Sequence, residues 1–553
     1  MLQRRLRNAD TAWVVFLALA LAVGIFLRWY QLGSQILLDD EWHAIDKLLH
    51  ADARDIATHL GLADYSIPLT LYYRFLYLHG GLSEWGMHLP MLLAGVGLLV
   101  IAPWLLRRQA GFATLAVWTA LLAISPLLVY LSRTARPYAI TNLLVFIAVI
   151  AFREWWRGRE HRLRWAGLYV VSTFLAGWLH LITLPFTLLP FVFFGVAGLR
   201  DLAGSGRAAA WQGIGRLFVL GVVVTALLAA ALLPSMLNDW GALAAKAGSD
   251  AITLESAYRS LLMGLGISSP WICIAMVLSL AAGVRTWWRR DATFVAYVAL
   301  IVTGSALAVA QSHPAWVQHP GTFARYMQPA VPFMLLFVAE GFAGLAKPLT
   351  AVLQVTLALA SVAVLFAAGP MPAYLYNPNQ FMGHPWFQFD YDPAHNAYRI
   401  QLPDGPIPEF YRRLAALPPR SLTLVEAPWS LETDHDPQPL YQKIHGQYVR
   451  IGLLTPLCAA PAYGEYPEAD TGMRLTRFVH LPALLRGDTH DADFLVMHLK
   501  SWPPTLPATA EWPDLSTCLP QIEQHFGAPV YHDAEIEVFA LSAAARALSA
   551  AKN

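Results

Sequence analysis

Residues 37–43 read LLDDEWH and set three consecutive carboxylates, Asp39, Asp40 and Glu41, just after an apolar run long enough to cross a bilayer. Charge is expensive to hold beside lipid, so its presence there points to use. Two arginines keep similarly apolar company further on: Arg136 in YLSRTARPYAI and Arg325 in TFARYMQPAVPFMLL. A carboxylate can align or deprotonate a hydroxyl, and a guanidinium fork grips two phosphate oxygens at once. Together they form the minimum set for moving a group from a phosphate-linked donor to a hydroxyl. The base serves the acceptor, and the cations stabilise the departing phosphate. A phosphodiester leaves as a stable anion, so no general acid is needed.

The elements that position these residues are membrane spans. The chain has 553 residues, of which 56% are hydrophobic and 14% charged, and its mean hydropathy is +0.45. A soluble domain is about a quarter charged, so the composition predicts a polytopic α-helical membrane protein. Net charge +1 argues against a nucleic-acid partner. The 20 Trp and 21 Tyr suit extensive contact with membrane lipids at the interface. The apolar run from Ala12 to Leu27 is long for a signal peptide and lacks a small-residue cleavage site, so it reads as a retained first span.

Runs of roughly 17–25 apolar residues predict about eleven spans, at 12–30, 86–106, 112–131, 138–152, 165–181, 182–199, 217–234, 260–284, 292–311, 326–346 and 349–368. Arg4, Arg5 and Arg7 place the N-terminus in the cytoplasm, and every second connection is basic, from Arg107–Arg108 to Lys347. This alternation predicts a transmembrane domain over 1–368 and a soluble outer domain over 369–553. Within the first outer loop, 31–85, Trp42, Ile45, Leu49, Ala53, Ile56 and Leu60 recur at helical spacing, which predicts a helix lying on the membrane. In the outer domain SLTLVEAPW, ADFLVMHLK and AEIEVFALS read as strands of an α/β or α+β fold. Cys458 and Cys518 both fall there, where an oxidising compartment suits a disulfide between them; Cys273 falls inside a span and reads as a packing residue.

The order of these pieces resembles the GT-C glycosyltransferases, nearest the protein O-mannosyltransferases and the bacterial aminoarabinose transferase of lipid A. In the first loop Asp40 and Glu41 match that family's Asp-Glu pair, and Pro68, Leu71, Tyr72 and Tyr73 match its Pro-led helix start. Arg136, Pro137 and Tyr138 match its Arg-Pro-Tyr-Ala segment, Arg325, Tyr326, Pro329 and Pro332 its Arg-Tyr segment, and His180 in AGWLHLITLPF its fifth-span histidine. The likeness covers residues 12–346. It implies an inverting transfer of a monosaccharide from a polyprenyl-phosphate carrier to a glycolipid, polysaccharide or protein acceptor, at the outer face of a bacterial inner membrane. Asp40 is then the base, with Glu41 and Asp39 as companions, and Arg136 and Arg325 hold the carrier phosphate. Tyr138, Tyr326, His180, His43 and Tyr72 line the substrate pocket. The resemblance requires no cofactor, although some relatives use a divalent cation. The chain departs from the pattern at Arg133 and Thr134, where an acid or amide is usual, and at His88, where an Arg is usual. The extra acid Asp39 leaves the register of the pair open by one residue.

Blander roles fit the same residues. The acidic triplet suits a helix N-terminus, the arginines can snorkel to headgroups, and Tyr138 and Tyr326 suit an aromatic belt. His43 and His180 have no neighbours at metal-ligand spacing. Two other classes stand beside the enzyme: a flippase or transporter of lipid-linked sugar, and a catalytically silent polymer-binding protein. The sequence has no Gly-rich phosphate loop ending in Lys-Ser/Thr, which sets ATP-driven transport aside.

Overall fold

The computed structural model describes residues 2–30, 32, 41, 44, 48, 51–60, 66–79, 84–158, 161–202, 207–241, 244, 250–267, 269–314, 317–318, 320–369, 371, 407–419, 421–428, 441, 444–453, 478–489, 491–500 and 514–550. Asp39, Asp40, His43 and Cys458 lie outside these. The chain divides into two compact units. One holds residues 1–32, 44–75 and 85–375, the other residues 33–43, 76–84 and 376–553.

The helical part runs α1 (Leu2–Trp29), α2 (Ala53–Thr58), α3 (Ile67–Leu78), α4 (Glu84–Leu106), α5 (Phe112–Ile124), α6 (Pro126–Leu131), α7 (Tyr138–Arg157), α8 (Arg162–Leu179), α9 (Leu184–Leu202), α10 (Arg207–Asn238), α11 (Leu254–Leu265), α12 (Pro270–Ser312), α13 (Pro320–Met327), α14 (Val331–Ala346) and α15 (Ala351–Ala368). Among the described residues eight segments are long and apolar enough to cross a membrane, so the chain is a multi-pass membrane protein. The differences from the eleven expected spans have local causes. The 112–131 span is two helices because Pro126 offers no N–H and pushes Ser125 out of the helical region. The expected start at 260 belongs instead to α11, a separate amphipathic helix closed by a Thr253–Ser256 capping box and by Gly266 at φ 72°. The expected spans 260–284 and 292–311 meet inside α12, where Asp291 is non-helical (φ −154°, ψ 77°). Asp291 Oδ1 accepts from the Phe294 N–H at 3.0 Å, capping the second half, and Oδ2 binds Arg153 and Arg157.

The first-loop helix is also divided. Asp52 accepts from the Asp55 N–H and starts α2, so Ala53 sits in a new first turn and is exposed. Of the six residues expected on one apolar face, Ile56 and Leu60 are buried and Ala53 is not. Trp42, Ile45 and Leu49 lie outside the described residues.

Helices α12 and α14 pack through two glycines. A Cβ on Gly283 would lie 1.7 Å from the Phe337 carbonyl oxygen, and one on Gly341 1.8 Å from that of Ser279. Lipid offers no hydrophobic drive between helices, so close backbone approach supplies the contact; the Ser279 hydroxyl adds a hydrogen bond to the Val338 carbonyl at 2.9 Å. Gly341→Val should force the pair apart, cost about 3 kcal/mol or more, and lower the thermal midpoint of detergent-solubilised protein. An unchanged midpoint would show that the two backbones do not meet.

The second unit folds around α16 (Glu409–Ala415), β1 (Thr423–Ala427), β2 (Tyr448–Leu453), β3 (Phe478–His480), α17 (Leu481–Leu485), β4 (Phe494–His498), α18 (Leu519–Phe526), β5 (Tyr531–His532), β6 (Ile536–Ala540) and α19 (Ala543–Ala550). The sheet order is β3-β2-β1-β4-β6-β5, with the first four strands parallel and β6 and β5 antiparallel. Three layers result. Val425, Ala427, Leu495 and Met497 face α17 and α18, whereas Leu424, Phe494 and Val496 face α16 and α19. Cys518 is buried in the first of these cores and is disulfide-bonded, while Cys273 is free. The expected partner, Cys458, lies outside the described residues. If the pair is Cys458–Cys518, a Cys458→Ser/Cys518→Ser protein should lose a fast-migrating species on non-reducing gels and become more protease-sensitive, since such a bridge typically contributes about 2–4 kcal/mol. A Cys518 thiol reactive in the unfolded, unreduced protein would exclude it.

Candidate active site

The turn carrying Arg136 is built before the site is. Pro126 leaves the Leu122 carbonyl without its helical donor, and the fully buried Arg28 of α1 supplies one. Its guanidinium donates to Leu122 O and Ala123 O at 3.1 Å, to Gly24 O at 3.0 Å and to Ser132 Oγ at 3.2 Å. Arg133 caps the other side, donating to Leu27 O at 3.0 Å and Tyr30 O at 2.6 Å, where α1 ends and its carbonyls lack partners. At the position where the resembling family commonly has an acid or amide, this chain therefore has a cation closing a helix. The buried Tyr73 of α3 donates to Ala135 O at 2.9 Å and Met87 O at 3.3 Å. Arg136, itself buried, follows, and Tyr138 opens α7.

Three distant segments then meet around Tyr138. His180 occupies the extended break between α8 and the 3-10 turn Leu181–Thr183 (φ −162°, ψ 113°). Its ring centroid lies 5.4 Å from that of Tyr138 and 6.1 Å from that of Tyr326. Arg325, near the end of α13, places its guanidinium carbon 5.3 Å from the Tyr138 ring centre and 5.6 Å from that of Tyr326. Each such cation–π contact is worth about 0.5–1 kcal/mol, more when desolvated. The buried Gln328 ties the segments together, donating from Nε2 to Tyr138 O at 2.6 Å and lying 3.5 Å from Thr141 Oγ1. The arrangement holds a guanidinium between aromatic faces inside the membrane unit. A planar fork so stacked binds phosphate oxygens along its edge, and ring faces pack against sugar C–H surfaces.

Of the residues singled out by sequence, Tyr138, His180, Arg325 and Tyr326 form this cluster, and Arg136 lies two residues before it. Tyr72 is elsewhere: its hydroxyl donates to Gly86 O at 3.0 Å, and its ring neighbour is Tyr73 at 5.7 Å. Glu41 is buried and belongs to the second unit, in the segment 33–43. Asp39, Asp40 and His43 lie outside the described residues. Among the described residues no three His, Cys, Asp or Glu side chains stand close enough to share a metal ion. Sequence reasoning passed over Arg28, Tyr73 as a brace, and Gln328. Their signals were an arginine ending an apolar run and an amide beside a proline in the ARYMQP segment.

No protein family and no curated protein matches the chain. Among solved structures it is similar to ArnT from Cupriavidus metallidurans in the apo state, at 16% identity and TM-score 0.44, over 97% of this chain and 99% of that one. The same protein bound to undecaprenyl phosphate matches at 14% identity and TM-score 0.44, over 96% and 98%. The Archaeoglobus fulgidus oligosaccharyltransferase in complex with Zn and sulfate matches at 12% identity and TM-score 0.46, over 87% and 68%.

Proposed function

We propose that the protein is an inverting GT-C glycosyltransferase that moves a monosaccharide from a polyprenyl-phosphate carrier to an acceptor hydroxyl. The observation that carries this reading is the cluster of Arg325, Tyr138, Tyr326 and His180, assembled from three segments within the membrane unit and fastened by Gln328. A phosphate-holding guanidinium flanked by sugar-stacking rings is what a lipid-phosphate sugar requires. In the reaction the acceptor oxygen attacks the anomeric carbon, the bond from that carbon to the phosphate oxygen breaks, and the carrier leaves as an anion. Asp40 takes the acceptor proton, with Glu41 and Asp39 beside it in sequence. Arg136 and Arg325 balance the charge that grows on the phosphate. The acceptor is a glycolipid, a polysaccharide or a protein.

Purified protein incubated with radiolabelled polyprenyl-phosphate sugars and candidate acceptors tests this directly. Label appearing on an acceptor supports transfer. Carrier relocated across the bilayer with its sugar intact would instead identify a transporter.

We place the protein in a bacterial inner membrane with its N-terminus in the cytoplasm and residues 369–553 in the periplasm, on the alternation of basic connections. In a Cys273→Ser background, Gln524→Cys, on the exposed side of α18, should react with an impermeant maleimide in intact cells. Labelling only after permeabilisation would reverse the topology.

A further inference from the structure

The sheet of the second unit carries a feature that the transfer reaction does not use. In chain order β1 connects to β2 and then β3 on one side, and the chain returns to β4 on the other, so the order reverses between β1 and β4. Open parallel sheets form a crevice at the carboxyl ends of the strands at such a point. Along β1, Leu424 and Glu426 face α16, as Phe494, Val496 and His498 do along β4; the apolar alternation thus ends in two titratable groups. Glu426 Oε2 accepts from Tyr411 of α16 at 2.8 Å and lies 2.5 Å from His498 Nε2, which is 3.4 Å from the Tyr411 hydroxyl. A row of near-parallel rings covers them: His445 on Tyr411 (5.4 Å, 19°), Tyr411 on Tyr441 (4.5 Å, 16°), and Tyr441 on His498 (5.9 Å, 9°). All five residues are at most 5% exposed.

Two buried atoms here have no hydrogen-bond partner, Glu426 Oε1 and His445 Nε2. His445 Nδ1 accepts from the Gln447 N–H at 3.0 Å, which places the ring proton on that partnerless Nε2. Opening the crevice would hydrate both atoms, so the closed form gains nothing from them and is poised to open.

We infer that this crevice is a proton-operated latch, held shut at neutral pH by the Glu426–His498–Tyr411 contact beneath a neutral His445 ring, and released when His445 takes up a proton. The ionisable groups around His445 are Tyr411 on α16, Glu426 on β1, His498 on β4 and Tyr441 on its own segment. The other charged residues of α16, Glu409, Arg412 and Arg413, are exposed. Burial pushes His445 down from its ordinary 6.5 to about 4, against a smaller upward pull from Glu426. Burial also keeps both tyrosines protonated, so Tyr411 remains a donor. Because the closed value is the lower one, the open form binds the proton more readily between about 4 and 6.5. The closed form is therefore fully favoured above that window and weakens as pH falls through it. From pH 7.5 to pH 5 the ratio of open to closed should rise about thirtyfold.

Hydrogen exchange of the α16 and β1 amides, measured by mass spectrometry on the full chain in lipid nanodiscs and corrected for intrinsic rates, reads this ratio. His445→Asn keeps an acceptor for the Gln447 N–H and cannot titrate; it should hold the change under about threefold. Equal protection of the natural protein at both pH values overturns the latch, as does an undiminished rise in the variant. If the variant is unprotected even at pH 7.5, exchange of the imidazole C2 hydrogen in the natural protein decides. A His445 midpoint near 4 supports the latch, and one near 6.5 removes it. None of these readouts involves sugar transfer, so the latch stands or falls apart from the proposed reaction.

Discussion

Asp40→Asn should leave expression and carrier binding near those of the natural protein and lower transfer by a factor of about 10²–10⁴. The substitution keeps size and hydrogen-bonding capacity and removes only the charge that aligns or deprotonates the acceptor hydroxyl. Glu41→Gln should fall between, and Asp39→Asn should be mildest. A pairing shifted by one residue would exchange the Asp39 and Asp40 phenotypes, which single-turnover rates on preformed donor complex can distinguish. Turnover indifferent to all three substitutions would reduce the triplet to a helix N-terminus and remove the proposed base.

Arg325→Ala should act on binding. A charge-assisted hydrogen bond contributes about 1.5–3 kcal/mol, so loss of the fork should weaken carrier affinity roughly 10- to 150-fold. Arg325→Lys should recover part of this, because a point charge remains while two-oxygen contact is lost. The folded state should suffer less, since the two ring contacts at 5.3 and 5.6 Å are together worth only about 1–2 kcal/mol. Titration of polyprenyl phosphate into nanodisc-embedded protein, paired with thermal unfolding, separates the two effects. Equal carrier affinity in Arg325→Ala would leave Arg325 as an anchor for Tyr138 and Tyr326 and nothing more.

The sequence by itself determined the parts that depend on local pattern. Runs of apolar residues located the membrane helices, because burial in lipid requires a continuous run and a helix that satisfies its own backbone. The three strands legible in the second unit, around 423–427, 494–498 and 536–540, are the adjacent β1, β4 and β6, which are buried on both faces and so read as unbroken apolar stretches. β2 carries Arg450, and β3 and β5 are edge strands of three and two residues. Their strand character comes from pairing with a neighbour, and a short window does not contain it. The order of motifs likewise marked Tyr138, His180, Arg325 and Tyr326 before any of them could be seen together.

Only the tertiary structure decided which polar groups hold one another. Arg28 reaches Ser132 across 104 residues, Gln328 reaches the Tyr138 carbonyl across 190, and His498 reaches Glu426 across 72. In the sequence Arg136, Arg133 and Arg28 are three arginines beside apolar runs, equally suited to phosphate or to headgroups. Folded, Arg28 stands in for the donor that Pro126 lacks, and Arg133 closes the end of α1. Helical period is fixed by residues three and four apart. The partner of a buried charge is fixed by which backbone groups the packing leaves without a donor, and those are known only once the helices have met.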